Sequence, residues 1–338
     1  MPVRRLAPLV LLALLLGGCA PPRSTDTDLA APRSYSEWAA LATEVRAFQR
    51  KFGFQDTKNF AQFSDARVSF PFCGLVSSYY LPYSYEDPAI RWMESVPAEE
   101  CRALGENLDV SHGASEALGE SESPVTPAML TAPLPRLIYL VIHEDCHDQF
   151  ELPYGIEEAL CNVITYNAMA AFSAENFRSM PAQANAIRRY ARDGARHSHL
   201  TVTFYERLAA LYGRHERLEL SAAALLRQRE RIFRQAERQI AWPTGSMNNV
   251  WIANHMTYSR HYPLIERVFE ALGRDLARTV AFFKHVDTIK PPAAQVMARH
   301  DLKTHTGVEF IRAYEAAVVE TIEAALANTA SAAKLKGV

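Results

Sequence analysis

A run of six apolar residues, Leu137-Ile138-Tyr139-Leu140-Val141-Ile142, leads without a break into His143-Glu144-Asp145-Cys146-His147. A stretch that is apolar on every side forms a stable helix only in a protein interior. The five residues after it are thereby placed on a buried helix, expected from about Pro135 to Gln149 with proline in its first turn. On that helix His143 and His147 lie one turn apart on one face, so both imidazoles can meet a single ion. Glu144, beside the first histidine, is then placed to take a proton from water held by that ion.

Catalytic zinc usually has three protein ligands and one open position. A third ligand is therefore required, and the next helix, expected from about Ile156 to Phe172, offers Glu157 and Glu158. Leu152, Pro153 and Gly155 make the intervening turn short, which suits an antiparallel helix pair. The segment Glu157-Glu158-Ala159-Leu160-Cys161-Asn162 resembles the second zinc helix of thermolysin-like gluzincins, Asn-Glu-Ala-Ile-Ser-Asp. That resemblance implies one Zn2+ ion on His143, His147 and Glu158, with Glu157 the competing ligand. It also implies that Asn162, one turn further on, orients a ligating histidine, as a neutral residue where the relatives carry Asp.

A second resemblance covers more of the chain. Asn248-Asn249-Val250-Trp251-Ile252-Ala253, followed by Tyr258, is similar to the C-terminal signature of a family of bacterial aminopeptidases, many of them lipoproteins. Thr131-Ala132-Pro133-Leu134-Pro135, Phe52-Gly53-Phe54 and Asn59-Phe60 resemble the same family. Where that family commonly reads His-Glu-Leu-Ala-His-Gln, this chain has Asp145, Cys146 and Asp148. The resemblance implies a zinc peptidase acting on a peptide or protein, with Tyr258 stabilising the oxyanion of the attacked carbonyl. His255, one turn before it, is the alternative. Asn248 and Asn249 either bind the substrate main chain or cap the helix they open. The sequence has no Gly-x-Met-Glu-Asn segment for holding a free amine, so exopeptidase and endopeptidase both stand. The other reading is a catalytically silent binding or envelope-assembly module on the same fold; the retained base Glu144 argues against it. A di-iron bundle needs a second Glu-x-x-His motif, which the chain lacks.

The first residues belong to targeting. Arg4 and Arg5 precede the apolar run Leu6 to Leu16, which is too short to span a membrane as a mature helix. Leu16-Gly17-Gly18-Cys19 then resembles the lipobox of bacterial lipoproteins, which implies a signal over 1–18, acylation of Cys19 and a tether over 19–33. Ala20 after the cysteine points to the outer membrane, facing the periplasm. Export is an oxidising route. Among the remaining cysteines we expect Cys73 to pair with Cys101, while Cys146 and Cys161 either pack as small apolar residues or pair with each other.

The fold class expected is α+β, mainly α: a zincin-like catalytic region over 34–173, a helical region over 174–328 and a flexible tail over 329–338. Ser34 and Glu37 form a capping-box pattern opening a helix to about Phe52. The small sheet is expected between Phe70 and Tyr85, and Gly105 to Pro124 reads as a long loop. Further helices are expected near Pro181–Tyr212, Ser221–Ile240, Met247–Tyr258, Leu264–Val286 with a break near Gly273, and Gly307–Asn328. His197, His199, His300, His305 and the Arg-rich stretch from Arg227 to Arg238 read as solvated surface. A formal net charge of -2 argues against a nucleic-acid partner.

Overall fold

The computed structural model describes residues 34–65, 70–105, 108–115 and 123–336. The expected signal segment, Cys19 and the tether lie outside these residues. No helix among them is long and apolar enough to cross a membrane.

The fold is α+β and mainly helical. Its first helix, α1 (Tyr35–Arg50), opens on a complete capping box: the Ser34 side chain accepts from the Glu37 amide, and the Glu37 carboxylate accepts from the Ser34 amide. Trp38, Leu41, Val45 and Phe48 form its buried face. The two motif helices follow as α4 (Leu134–His147) and α5 (Tyr154–Asn176). α5 is apolar nearly all round, and it is the hub of the molecule. It packs on α4, on α6 (Pro181–Glu216), on α8 (Asn249–Ser259) and on α9 (Tyr262–Ala271). α7 (Ala222–Ile240), capped by Ser221, lies along α6. The expected break in the later helical stretch falls at Gly273, whose φ of +81° a glycine adopts without strain. It separates α9 from α10 (Leu276–Ile289), which Asp275 caps. The final helix, α12 (Val308–Lys336), continues past Asn328, where a flexible tail was expected.

One antiparallel sheet has the order β2-β1-β3, with β1 (Phe70–Ser77) between β2 (Arg91–Glu94) and β3 (Leu108–Ser115). β1 lies where a strand was expected, but β3 lies inside the segment expected to be a loop. Its sequence, Leu-Asp-Val-Ser-His-Gly-Ala-Ser, is poor in apolar residues. Pairing with β1 along its whole length supplies what local propensity does not. Asp109 of β3 is also bound by Arg229 of α7 at 2.6 and 2.9 Å. That pair corrects the expectation of a wholly solvated Arg227–Arg238 stretch: Arg229 is half-buried against the buried Asp109, and Glu237 is buried too, accepting from the Met247 amide. The sheet lies against α8 through Gly74, where a Cβ would fall 2.7 Å from Val250. The short helices α2 (Ala98–Ala103), α3 (Pro127–Leu130) and α11 (Ala293–Arg299) were not expected. A disulfide joins Cys73 of β1 to Cys101 of α2, as expected.

Candidate metal centre

α4 carries its motif into the core, where His143, Glu144, Asp145 and Cys146 are all buried. After a turn over residues 148–153 the chain re-enters as α5, whose first turn presents Glu157 and Glu158. The two helices are locked together by a disulfide between Cys146 and Cys161, the second of the two alternatives for that pair. α5 also starts against α12: a Cβ on Gly155 would fall 2.4 Å from Oε1 of Glu315, so a larger residue there would displace that carboxylate.

Three ligand atoms converge. Nε2 of His143 is 3.3 Å from Nε2 of His147, and Oε2 of Glu158 is 3.1 Å from the first and 3.4 Å from the second. These three residues form the group among the described residues able to hold a metal ion. The triangle has the size that zinc requires. Tetrahedral ligands at about 2.0–2.1 Å from an ion are separated by roughly 3.3 Å, which is the edge observed here. Two imidazole nitrogens so close, beside a carboxylate, form a donor set suited to a cation. Burial pulls His143 down to about 4, against the pull of Glu158. At His147 burial acts in the same direction, but Glu158 and Glu157 together outweigh it and hold the ring well above its ordinary value. Glu158 is held down at about 2, because the histidines overcome the burial that would raise it.

A second layer orients these groups. Oε1 of Glu157 lies 2.9 Å from Nδ1 of His147, and its Oε2 accepts from the Leu152 amide at 2.9 Å. Glu157 therefore meets the outer nitrogen of His147, while Glu158 meets the inner one. Asn162 acts at one remove from His143: its Oδ1 accepts from the Tyr139 hydroxyl at 2.8 Å, and the Tyr139 ring stacks on His143 at 4.9 Å. Its amide donates to the Tyr258 carbonyl at 3.3 Å, tying α5 to α8. Asn59 donates to the Glu144 carbonyl and to Asp148, both at 3.1 Å.

Glu144 is 2% exposed, and neither carboxylate oxygen has a hydrogen-bond partner among the described residues. Burial pushes it up to about 7. Tyr258 is brought to the cluster: its ring is 6.5 Å from that of His143, and its hydroxyl is subject to burial and to the charges of Glu158 and Glu144. Tyr154, which the sequence reading missed, interacts through its hydroxyl with both Glu158 and Tyr258. Its only sequence signal was its place at the start of the helix that carries Glu158.

The remaining expected site residues lie elsewhere. His255 stacks on Trp251 at 3.9 Å and on His197 at 5.1 Å, in an aromatic cluster completed by Trp242. His197 is thus a buried residue and not a solvated one, which corrects the expectation; His199, His300 and His305 are exposed, as expected, and His199 pairs with Glu266. Asn248 caps α8 by accepting from the Trp251 amide at 3.0 Å. Its own amide donates to the Val110 carbonyl at 2.7 Å. Asn249 donates to the Tyr212 hydroxyl at 2.6 Å and to the Tyr80 carbonyl at 2.8 Å. Both asparagines thus hold α8 on the sheet and its following loop.

Residues 24–295 match the model of a family described as "Putative aminopeptidase". The chain belongs to that family. Neither a curated protein nor a solved structure matches it. Family membership supports peptidase activity and a peptide substrate. The departure of this aminopeptidase-family chain at Asp145 has a local explanation. A buried acid at that point of the helix is neutralised by Arg46 of α1, which donates to both its oxygens at 3.0 and 3.1 Å, and by the Thr57 hydroxyl.

Proposed function

We propose that this chain is a zinc-dependent metallopeptidase, anchored to the bacterial envelope through an acylated Cys19. The observation that carries the catalytic part is the convergence of His143, His147 and Glu158 at zinc-ligand spacing, beside a buried carboxylate with no partner. Zinc at these residues would supply a Lewis acid, polarising a carbonyl and lowering the pKa of water.

The chain's own groups account for the proton transfers. Glu144 meets no donor among the described residues, so its carboxylate is free to take a proton from the attacking water. Burial lifts it towards neutrality, which suits a group that must then pass the proton to the leaving amine nitrogen. Tyr258 donates to the carbonyl oxygen as negative charge develops there, and Tyr154 fixes the direction of that hydroxyl. Glu157 keeps the His147 ring in the orientation that turns Nε2 inward. A purely structural metal site would need the ligands but not Glu144.

Arg4, Arg5 and Leu16-Gly17-Gly18-Cys19 support export and lipidation, with the outer membrane facing the periplasm as the location. Both internal cysteine pairs are oxidised, in keeping with such a compartment.

The test is cleavage of a broad peptide library by the full chain, stripped with a chelator and reloaded with zinc. We expect zinc-dependent cleavage that Glu144→Gln abolishes while its zinc content is unchanged. Stoichiometric zinc with no cleavage by wild type would support the binding-module reading instead.

A further inference from the structure

The loop between β1 and β2 carries Tyr83-Ser84-Tyr85-Glu86-Asp87, and its Tyr85 ring reaches that of Tyr154 at the start of α5. Its backbone and rings are fixed on either side of Glu86. The Tyr83 hydroxyl donates to Oε2 of Glu315 on α12 at 2.7 Å. The Tyr85 amide donates to Oγ1 of Thr257 on α8 at 2.9 Å, one residue before Tyr258. The Tyr85 ring packs on Trp92 at 4.6 Å and lies 6.4 Å from the ring of Tyr154, whose hydroxyl meets Glu158. Asp87 is engaged by the Tyr80 hydroxyl and by the amides of Tyr83 and Ala89.

Glu86, like the buried base Glu144, lacks the partners that the other acids around the centre have. Glu157 has His147, Glu158 has both histidines, and Glu315 has Tyr83 and His261. Among the described residues Glu86 has neither a hydrogen bond nor an ion pair, although it is partly buried. The arginines nearest the loop do not serve it: Arg260 and Arg312 lie over the Tyr83 ring, at 3.6 and 4.6 Å from its centre. Burial, and then the charges of Glu315 and Glu158, push it up to about 7. A carboxylate held beside other carboxylates with no counter-ion gains from any cation that reaches it.

We propose that Glu86 binds the free α-ammonium of a peptide N-terminus, so that the bond presented to the metal centre is the first one of the chain. This rests on the metallopeptidase reading and makes the protein an aminopeptidase. A cationic side chain is a poorer fit, because the α-ammonium is separated from the first carbonyl carbon by one Cα alone. Glu86 directly follows Tyr85, whose ring reaches that of Tyr154 at the start of the helix carrying Glu158, so its loop borders the ligand triangle at which the first carbonyl would be attacked. The group that does the work comes from a loop upstream of the motif helices, which is why the absence of a Gly-x-Met-Glu-Asn segment does not exclude exopeptidase action.

The experiment is calorimetric binding of trialanine amide and of N-acetyl-trialanine amide to the zinc-loaded full chain carrying Glu144→Gln, with and without Glu86→Gln. We expect the free amine to bind roughly 10- to 100-fold tighter than the acetylated peptide, as for a charged hydrogen bond. Glu86→Gln should erase that preference with zinc content and melting temperature unchanged, and Glu86→Asp should restore part of it. Equal affinity for the two peptides, no binding of either, or a preference that survives Glu86→Gln overturns the proposal. The two readings fail separately. Wild type that cleaves acetylated and free peptides alike leaves the peptidase standing and removes the role of Glu86. A Glu86-dependent amine preference without turnover does the reverse.

Discussion

Glu157 and His147 meet on the outer side of the ligand triangle: Oε1 of Glu157 is 2.9 Å from Nδ1 of His147, and Nε2 of the same ring faces Glu158 at 3.4 Å. Two adjacent acids on one helix turn thus take different nitrogens of one imidazole. The sequence alone left them as rivals for a single role.

The division of labour predicts unequal losses. Glu157→Ala should weaken zinc binding about 10- to 100-fold, the usual effect of removing a group that orients a ligand. Glu158→Ala should abolish stoichiometric binding, because it removes a vertex of the triangle. Competition against a chelator of known affinity measures both. A larger loss for Glu157→Ala than for Glu158→Ala would exchange their roles.

Arg46 and Asp145 make a second prediction, about stability. Asp145 is 2% exposed and Arg46 19% exposed in their side chains. Removing the arginine strands a buried carboxylate, so Arg46→Ala should cost about 3–5 kcal/mol. Adding Asp145→Leu to Arg46→Met removes both charges and should recover most of that loss. Denaturant titration of the single and paired variants reads the difference; a double variant as unstable as Arg46→Ala would show that the pair is not what matters.

Expectations held where local pattern determines structure. The capping box at Ser34, the buried run before His143 and the glycine break at 273 are each written in a few neighbouring residues. They failed where distant groups decide. β3 is held by β1 and by Arg229, over a hundred residues away, and nothing in its own composition announces a strand. His197 lies two residues from the exposed His199, and the packing of α8 against α6 separates the two environments. Tyr154 and Glu86 come from the start of a helix and from a loop, and no motif spacing links them to His143.

His197 and His255 predict a pH dependence of stability. Burial lowers His197 from 6.5 to about 4 and pulls His255 well below its ordinary value, so both rings are neutral in the folded protein near pH 6. The unfolded chain binds their protons first, as pH falls through about 6.5, and stability is lost from there towards 4. Above that window the contribution is constant. Each histidine should add up to about 1.4 kcal/mol of stability per pH unit within it. In His197→Phe the dependence of ΔG on pH between 6.5 and 4 should be shallower than in wild type by up to one proton. An unchanged slope would mean that His197 is protonated in the folded protein.

The metal centre itself is tested most directly by zinc-edge X-ray absorption on the full chain loaded with one equivalent of zinc. The account predicts a first shell of nitrogen and oxygen only, at about 2.0–2.2 Å, with two imidazoles in wild type and in Glu144→Gln and no more than one in His143→Ala. A sulfur shell at about 2.3 Å, or a chain that retains no zinc after dialysis, would contradict it.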